Sequence, residues 1–142
     1  MPFGKSMGGS AQMKLMGVRL IDLGGGQARV ESDYVGEVTG EAAGNHYGTY
    51  TMIVNENDDP ARPIPYTYIG ATLLPSGATL AVAGSGMATR TGKGHNMRFR
   101  GLLRYSPNKD PKLAEFNNLI VAVESEFDAA TNTMKGEGCE WN

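Results

Sequence analysis

The sequence predicts an all-β protein, folded as a single antiparallel closed barrel of about eight strands with one short helix before the penultimate strand. Eight segments alternate apolar and polar residues with a period of two, as half-buried strands do. Turn-forming residues separate these segments at regular intervals, a spacing typical of barrels and sandwiches. Glycine and serine fall on faces expected to point inward, which favours a barrel, because a sandwich fills its inner faces with large apolar groups.

The first half of the chain contains four of the predicted strands. Residues 1–12 are rich in Gly, Ser and Met, and we expect them to form a flexible segment ahead of a single barrel domain at 13–142. In the second strand Ser32 and Tyr34 share one face, whereas Glu31 and Asp33 share the other, so the tyrosine is expected inside. The predicted strands of this half are 14–22, 28–42, 46–56 and 66–74.

The second half contains the other four strands and the helix. Within 107–118, Pro111 stands at a favourable first position, and Leu113 and Phe116 are three residues apart, so about two helical turns are expected. The neighbouring segment "HNMRFRGLLRY" alternates arginines with apolar residues. The predicted strands here are 79–90, 95–106, 119–128 and 133–141.

Composition limits the classes of partner. The formal net charge of −2 gives no electrostatic reason to expect nucleic acid or an anionic membrane. No apolar run approaches the length of a membrane span, and the start of the chain lacks the pattern of a signal peptide. The expected location is therefore the cytoplasm. The lone Cys139 excludes an internal disulfide.

Glycine is unusually frequent, at 20 of 142 residues, roughly twice the ordinary share. In "YVGEVTGEAAGNHYGTYTMIV" (34–54) it recurs at every fourth position, although glycine weakens strands. One interpretation is that the missing side chains leave a small, partly polar cavity inside the barrel. The alternative is that the glycines serve only sheet coiling and tight corners.

Three stretches carry a resemblance to a known group: "YVGEVTGEAAG" (34–44), "YTYIGATLLPSGATLAVAGSG" (66–86) and "EFDAATNTMKGEGCEW" (126–141). Their glycine and turn spacing resembles that of the small calycin-like barrels grouped around allene oxide cyclases and dirigent proteins. The resemblance implies a barrel that binds apolar small molecules, and in some members guides cyclisation, isomerisation or coupling. It carries no catalytic residue across to this chain.

Metal, cofactor and nucleophile motifs are not found. His46 and His95 are the only histidines, and neither has a second ligand at metal-binding spacing. No G-x-S-x-G elbow or full phosphate-loop pattern occurs. We therefore expect no metal and no cofactor.

Aromatic residues on the predicted strands are candidates for ligand contact. A tyrosine presents an apolar ring together with a hydroxyl that can hydrogen-bond a carbonyl or phenol, or act as a general acid. Core packing is the alternative role for each, since strands are rich in tyrosine. The candidate substrate-binding aromatics are Tyr34, Tyr66, Tyr68, Phe99 and Tyr105.

Three residues are predicted to be catalytic: His46 as a base, Tyr50 as an acid, and Glu140 as a buried carboxyl on the face of the last strand's glycines. Exposure at a strand end is the alternative for His46 and Glu140. Arg100 is a further substrate-binding candidate, if a bulge turns it inward to hold a carboxylate or enolate. Otherwise the arginines of its strand face solvent and pair with Glu124 and Glu126.

These observations leave two functional classes open. The first is a cofactor-independent lyase, isomerase or cyclase that acts on a small apolar or aromatic substrate by positioning and acid–base catalysis. The second is a non-catalytic carrier or sensor with the same cavity. Association into a homodimer or homotrimer is a further option. Exposed edge strands, or the methionines Met7, Met13 and Met16, would form the contact between copies.

Overall fold

The computed structural model describes the backbone of residues 3–92 and 94–141, and the side chains from Gly9 onward within those ranges. Eight antiparallel strands each pair with the next, and the last pairs with the first, which confirms the closed barrel. The strands are β1 (Phe3–Gly24), β2 (Gln27–Val38), β3 (Gly44–Asn55), β4 (Ile64–Leu73), β5 (Thr79–Arg90), β6 (Met97–Tyr105), β7 (Ile120–Asp128) and β8 (Thr133–Trp141).

The predicted strands match β2–β8 to within a few residues, but β1 is longer than expected. It begins at Phe3 rather than at residue 14, and therefore contains most of the segment 1–12; residues 1 and 2 lie outside the described range. Pairing of Phe3 with Trp141 and of Ser6 with Cys139 on β8 extends this strand. β2 ends earlier than expected, at Val38, because Gly40 has a positive φ of 92° that turns the chain.

The predicted helix is present but shorter, as a 3-10 helix over Pro111–Phe116. Side-chain oxygens accept hydrogen bonds from backbone amides just before the helix and in its first turn. Asn108 Oδ1 accepts from the Asp110 amide at 2.9 Å, and Asp110 Oδ1 accepts from the Lys112 amide at 3.0 Å. Such local bonds compete with helical ones, which explains why the helix begins only at Pro111. Among the described residues, no helix has the length and apolarity needed to cross a membrane.

Two clusters of side chains fill the barrel interior. An aromatic cluster occupies the middle, where the Tyr50 ring contacts those of Tyr68 and Phe99 at centroid distances of 4.5 and 4.7 Å. A second, cap cluster closes one end, where the 3-10 helix inserts Leu113 and Phe116. The cap cluster consists of Ala42, Leu80, Leu113, Phe116 and Val121.

The strand glycines have a different role from the one expected. A Cβ on Gly48 would lie 1.7 Å from the Tyr68 hydroxyl, and one on Gly101 would lie 2.6 Å from the Tyr66 hydroxyl. At Gly36 the conflict is with the backbone carbonyl oxygen of Gln12, at 1.9 Å. The glycines therefore accommodate tyrosine side chains and close backbone contacts, and most of the space they leave is already filled.

Candidate functional site

A cavity of about 110 Å³ remains between the aromatic cluster and the cap cluster. Residues from all eight strands contribute to its wall. The principal side chains are Met13, His46, Tyr50, Tyr66, Tyr68, Thr72, Val82, Leu103, Tyr105, Val121, Val123 and Ser125. Among the described lining residues Glu137 is the one with a formal charge, and its side chain is exposed where β8 meets β1. The inner part of the wall is therefore mostly apolar, with a few neutral polar groups.

The size of the cavity limits what it can hold. At about 30 Å³ per water molecule, 110 Å³ corresponds to three or four waters. It is smaller than the roughly 150 Å³ cavity that takes up benzene, and well below the roughly 300–1,000 Å³ of most drug-sized pockets. A ligand no larger than benzene, with at most about six non-hydrogen atoms, is therefore the upper limit without side-chain movement.

A hydrogen-bonded row of three side chains forms the polar part of the wall. His46 on β3 is directly opposite Thr72 on β4, and Tyr68 precedes Thr72 by four residues, so all three side chains face inward. The His46 Nδ1 and Thr72 Oγ1 atoms are 2.8 Å apart. The His46 Nε2 atom hydrogen-bonds the Tyr68 hydroxyl. We call these residues the His46 row.

Burial fixes the protonation of the His46 row. It lowers the pKa of His46 to about 4, because the charged imidazolium is poorly solvated inside the barrel. The same effect raises the pKa of Tyr68 above its usual range. At neutral pH the imidazole and the phenol are therefore both uncharged.

A neutral imidazole has one donor and one acceptor nitrogen, which gives the row two states. When Nδ1 carries the proton, Nε2 accepts from the Tyr68 hydroxyl, whose oxygen can accept from a ligand. When Nε2 carries the proton, it donates to the Tyr68 oxygen, and the Tyr68 hydroxyl is available to donate to a ligand. The row can thus serve a ligand that is either a hydrogen-bond donor or an acceptor.

A second polar pair lies at the same cavity. The Tyr50 hydroxyl lies near the side chain of Ser125 on β7, and this proximity lowers the pKa of the hydroxyl. Burial is the largest cause of the raised pKa of Tyr50, and the proximity of Tyr68 and Tyr66 raises it further. Tyr50 is therefore a neutral phenol, and it forms the floor of the cavity on top of the aromatic cluster.

The structure brings together some of the predicted site residues and separates others. His46, Tyr50, Tyr66, Tyr68 and Tyr105 all line the cavity. Tyr34 and Phe99 are buried in the aromatic cluster beneath it and do not line it.

Two predicted residues lie elsewhere. Glu140 is half-buried opposite Val121 and is not part of the cavity wall. Arg100 lies on the outer wall, where its Nε donates to Glu124 at 3.0 Å. No bulge interrupts the β6–β7 register around Arg100, so its side chain stays on the face opposite Phe99. The inward position of Arg100 is therefore not found, and the arginine faces solvent and pairs with Glu124, as the alternative given above predicts.

Thr72 and Ser125 are site residues that sequence reasoning missed. Thr72 follows Tyr68 by four residues, so it shares the inward face of that strand, and this signal was available in the sequence. Ser125 alternates with Glu124 and Glu126 and is equally assignable to the inner face. Their contacts with His46 and Tyr50 depend on strand register, which the sequence does not state.

A larger groove of about 970 Å³ crosses the outer wall over β6, β7, β8 and the start of β1. Its charged residues include Arg100 and Glu124, which already pair with each other, and the exposed Glu137. Exposed ion pairs of this kind are weak and well solvated. Across the described residues, no three His, Cys, Asp or Glu side chains come together as a metal site. The cavity inside the barrel is therefore the candidate functional site.

Comparison with known proteins gives the fold only. No family model matches the chain, and no curated protein matches its sequence. A solved structure that does match is a protein of unknown function from Clostridium acetobutylicum ATCC 824. It is 17% identical, has a TM-score of 0.74, and the match covers 100% of both chains. The barrel fold is thus shared with a solved structure, and the likeness to calycin-like barrels and allene oxide cyclases is not confirmed.

Proposed function

We propose that this protein binds a small, neutral molecule with a carbonyl or hydroxyl group inside the barrel. The observation that supports this is the His46 row, a neutral hydrogen-bonded set placed on a mostly apolar wall of a cavity of about 110 Å³. Cavities of this kind bind through apolar contact, and a few placed polar groups provide the specificity. An anion would have no cationic partner among the described residues that line the cavity.

Catalysis is a second candidate function, as a lyase, isomerase or cyclase that needs no cofactor. It is favoured by the convergence of Tyr68–His46 and Tyr50–Ser125 on one cavity. It is disfavoured by the low pKa of His46, about 4, because an efficient general base has a pKa near the working pH. We therefore rank binding above turnover.

Three probes of matched size test the binding proposal, with affinities measured by NMR titration of the intact chain. Cyclopentanone offers a carbonyl acceptor, methylenecyclopentane replaces that oxygen with a CH₂ group, and butanoate carries a charge. We expect cyclopentanone to bind about fivefold more tightly than methylenecyclopentane, since one net hydrogen bond contributes about 1 kcal/mol. Butanoate should bind more weakly than both.

Substitution of Tyr68 by phenylalanine should abolish that preference, because the hydroxyl that contacts the ligand is removed and the ring remains. Arg100→Gln on the outer wall is the matched control and should leave all three affinities unchanged. Equal affinity for the ketone and the hydrocarbon in the wild-type protein would contradict the role of the His46 row. Failure of every probe to shift the resonances of cavity residues would contradict a ligand site altogether.

The same samples separate a carrier from a catalyst. In D₂O, an acid–base site accelerates exchange of the hydrogens next to the cyclopentanone carbonyl, and one-dimensional NMR follows that exchange. Acceleration that His46→Gln removes would support turnover. Binding without acceleration would support a carrier or sensor.

A further inference from the structure

Within its described lining, the cavity reaches the protein surface at the seam between β1 and β8. Most of the lining residues are buried or half-buried, and three are exposed. These three are Ser10 on β1, Thr39 just after β2, and Glu137 on β8, which lies directly opposite Ser10. We call them the entrance residues. Because the exposed part of the lining is confined to this seam, a ligand enters or protrudes here.

The pairing of β1 with β8 is interrupted at the same seam. Between Ser6 and Ser10, β1 advances by four residues, while β8 advances by two, from Cys139 to Glu137. Such a bulge takes part of a strand out of its ladder. On the other side of β1, the Ser10 amide donates to Thr39 Oγ1 and the Thr39 amide donates to the Ser10 carbonyl oxygen, both at 2.9 Å. β1 is therefore fastened to Thr39, and the ladder beside the cavity is incomplete.

The groove of about 970 Å³ on the outer wall, which we call the outer groove, lies directly outside this entrance. Six residues line both the outer groove and the cavity. At Gly136 and Gly138 the wall between the two consists of backbone alone, since neither residue has a side chain. The other four shared residues are Ser10, Ala11, Val123 and Glu137. A ligand whose inner end fills the cavity can thus extend into the outer groove.

Glu137 gives the entrance a negative charge that no described side chain neutralises. Directly opposite it on β7 is a second carboxylate, Glu124, whose oxygens lie 3.0 Å from Arg100 Nε and 3.5 Å from Arg98 Nε. Glu137 has no such ion pair in the described part of the chain. Lys135, two residues earlier on β8, lines the outer groove but not the cavity. Like charges directly opposite each other in a sheet repel, so a cation at the entrance would relieve this repulsion.

From this arrangement we infer that the ligand is a short amphiphilic cation, an alcohol or ketone that carries a protonated amine at its other end. The part inside the barrel is neutral and contacts the His46 row, and in this respect the inference rests on the proposed function. The ammonium group stays in the outer groove beside Glu137, because burying a charge without a partner is costly. Glu137 thus selects ligands by charge, whereas the cavity selects them by size and hydrogen bonding.

Two probes of matched length test this inference, with affinities measured by NMR titration of the full chain at low ionic strength. The cation is 6-aminohexan-1-ol, and the anion is 6-hydroxyhexanoate. In both, the hydroxyl and five carbons match the roughly six non-hydrogen atoms that the cavity admits, which leaves the charged end at the entrance. We expect the wild-type protein to bind the amine about fivefold more tightly than the acid, since one exposed carboxylate attracts the amine and repels the acid.

Substitution of Glu137 should change this preference in a graded way. Glu137→Gln should bring the ratio of the two affinities close to one, and Glu137→Lys should reverse it. Because Glu137 is exposed, neither change is expected to affect folding. Glu56→Gln is the matched control, since it removes the same charge from an exposed residue that follows the far end of β3, whereas the entrance lies near the start of that strand. It should keep the fivefold preference.

The outcomes separate this inference from the proposed function. Failure of the amine to bind, equal affinities for amine and acid, or a preference that persists in Glu137→Gln would overturn the inference alone, provided that cyclopentanone still binds to the wild-type protein. A preference that Glu56→Gln also removes would overturn it as well, because the net charge of the protein would then be the cause. If cyclopentanone does not bind, the proposed function fails and the inference fails with it.

Discussion

Gly48→Ala is expected to lower the free energy of unfolding by about 3 kcal/mol, the upper end of the usual cost of overpacking a core. The added methyl carbon would lie 1.7 Å from the Tyr68 hydroxyl oxygen and 2.3 Å from the ring carbon that bears it. Tyr68 is buried, packs on Tyr50 and bonds His46, so it cannot move aside at low cost. Calorimetry should show a melting temperature lower by about 6–12 °C.

Gly17→Ala is the matched control, because no atom lies within 4 Å of the position its Cβ would take. There the same change should be neutral or slightly stabilising, by up to about 1 kcal/mol, through the reduced entropy of the unfolded chain. The double variant Gly48→Ala with Tyr68→Ala should lose less stability than the two single losses together, since removing the ring makes room for the methyl. Equal stability of Gly48→Ala and Gly17→Ala would contradict this account.

His46 is expected to make stability depend on pH between about 6.5 and 4. Its pKa falls from 6.5 in the unfolded chain to about 4 in the barrel. Above pH 6.5 the imidazole is neutral in both states, and its full contribution to stability is present. As the pH falls, the unfolded chain binds the proton first, so stability drops until the folded protein is also protonated near pH 4. The loss is about 3 kcal/mol.

Urea unfolding at a series of pH values measures this effect as a difference from His46→Gln. That variant is expected to be less stable than wild type at pH 7, and the gap should narrow by about 3 kcal/mol by pH 4. Taking the difference cancels the pH dependence of stability that comes from the carboxylates, because these titrate in both proteins. His95→Gln is the control, since His95 is exposed and its removal leaves His46 in place. A gap that stays constant with pH would show that His46 is not buried as a neutral group.

The amino-acid sequence alone was sufficient to predict the architecture and the inward face of β2. Alternation with a period of two is a local property, so Tyr34 could be assigned to the interior before any strand pairing was known. Turn residues divided the strands, and Pro111 marked the helical turn. Part of the candidate site could also be predicted from the sequence, because His46, Tyr50 and Tyr68 were all candidate site residues.

The tertiary structure decided which of those residues meet. The His46 contacts depend on the register that sets His46 opposite Thr72, and this register forms between segments distant in sequence. The role of the glycines was also misjudged from the sequence, since only the folded barrel shows that tyrosine rings occupy the space above Gly48 and Gly101. The alternation of a strand depends on consecutive residues, so it can be predicted from the sequence. The volume of a cavity depends on how all eight strands pack together, so it requires the tertiary structure.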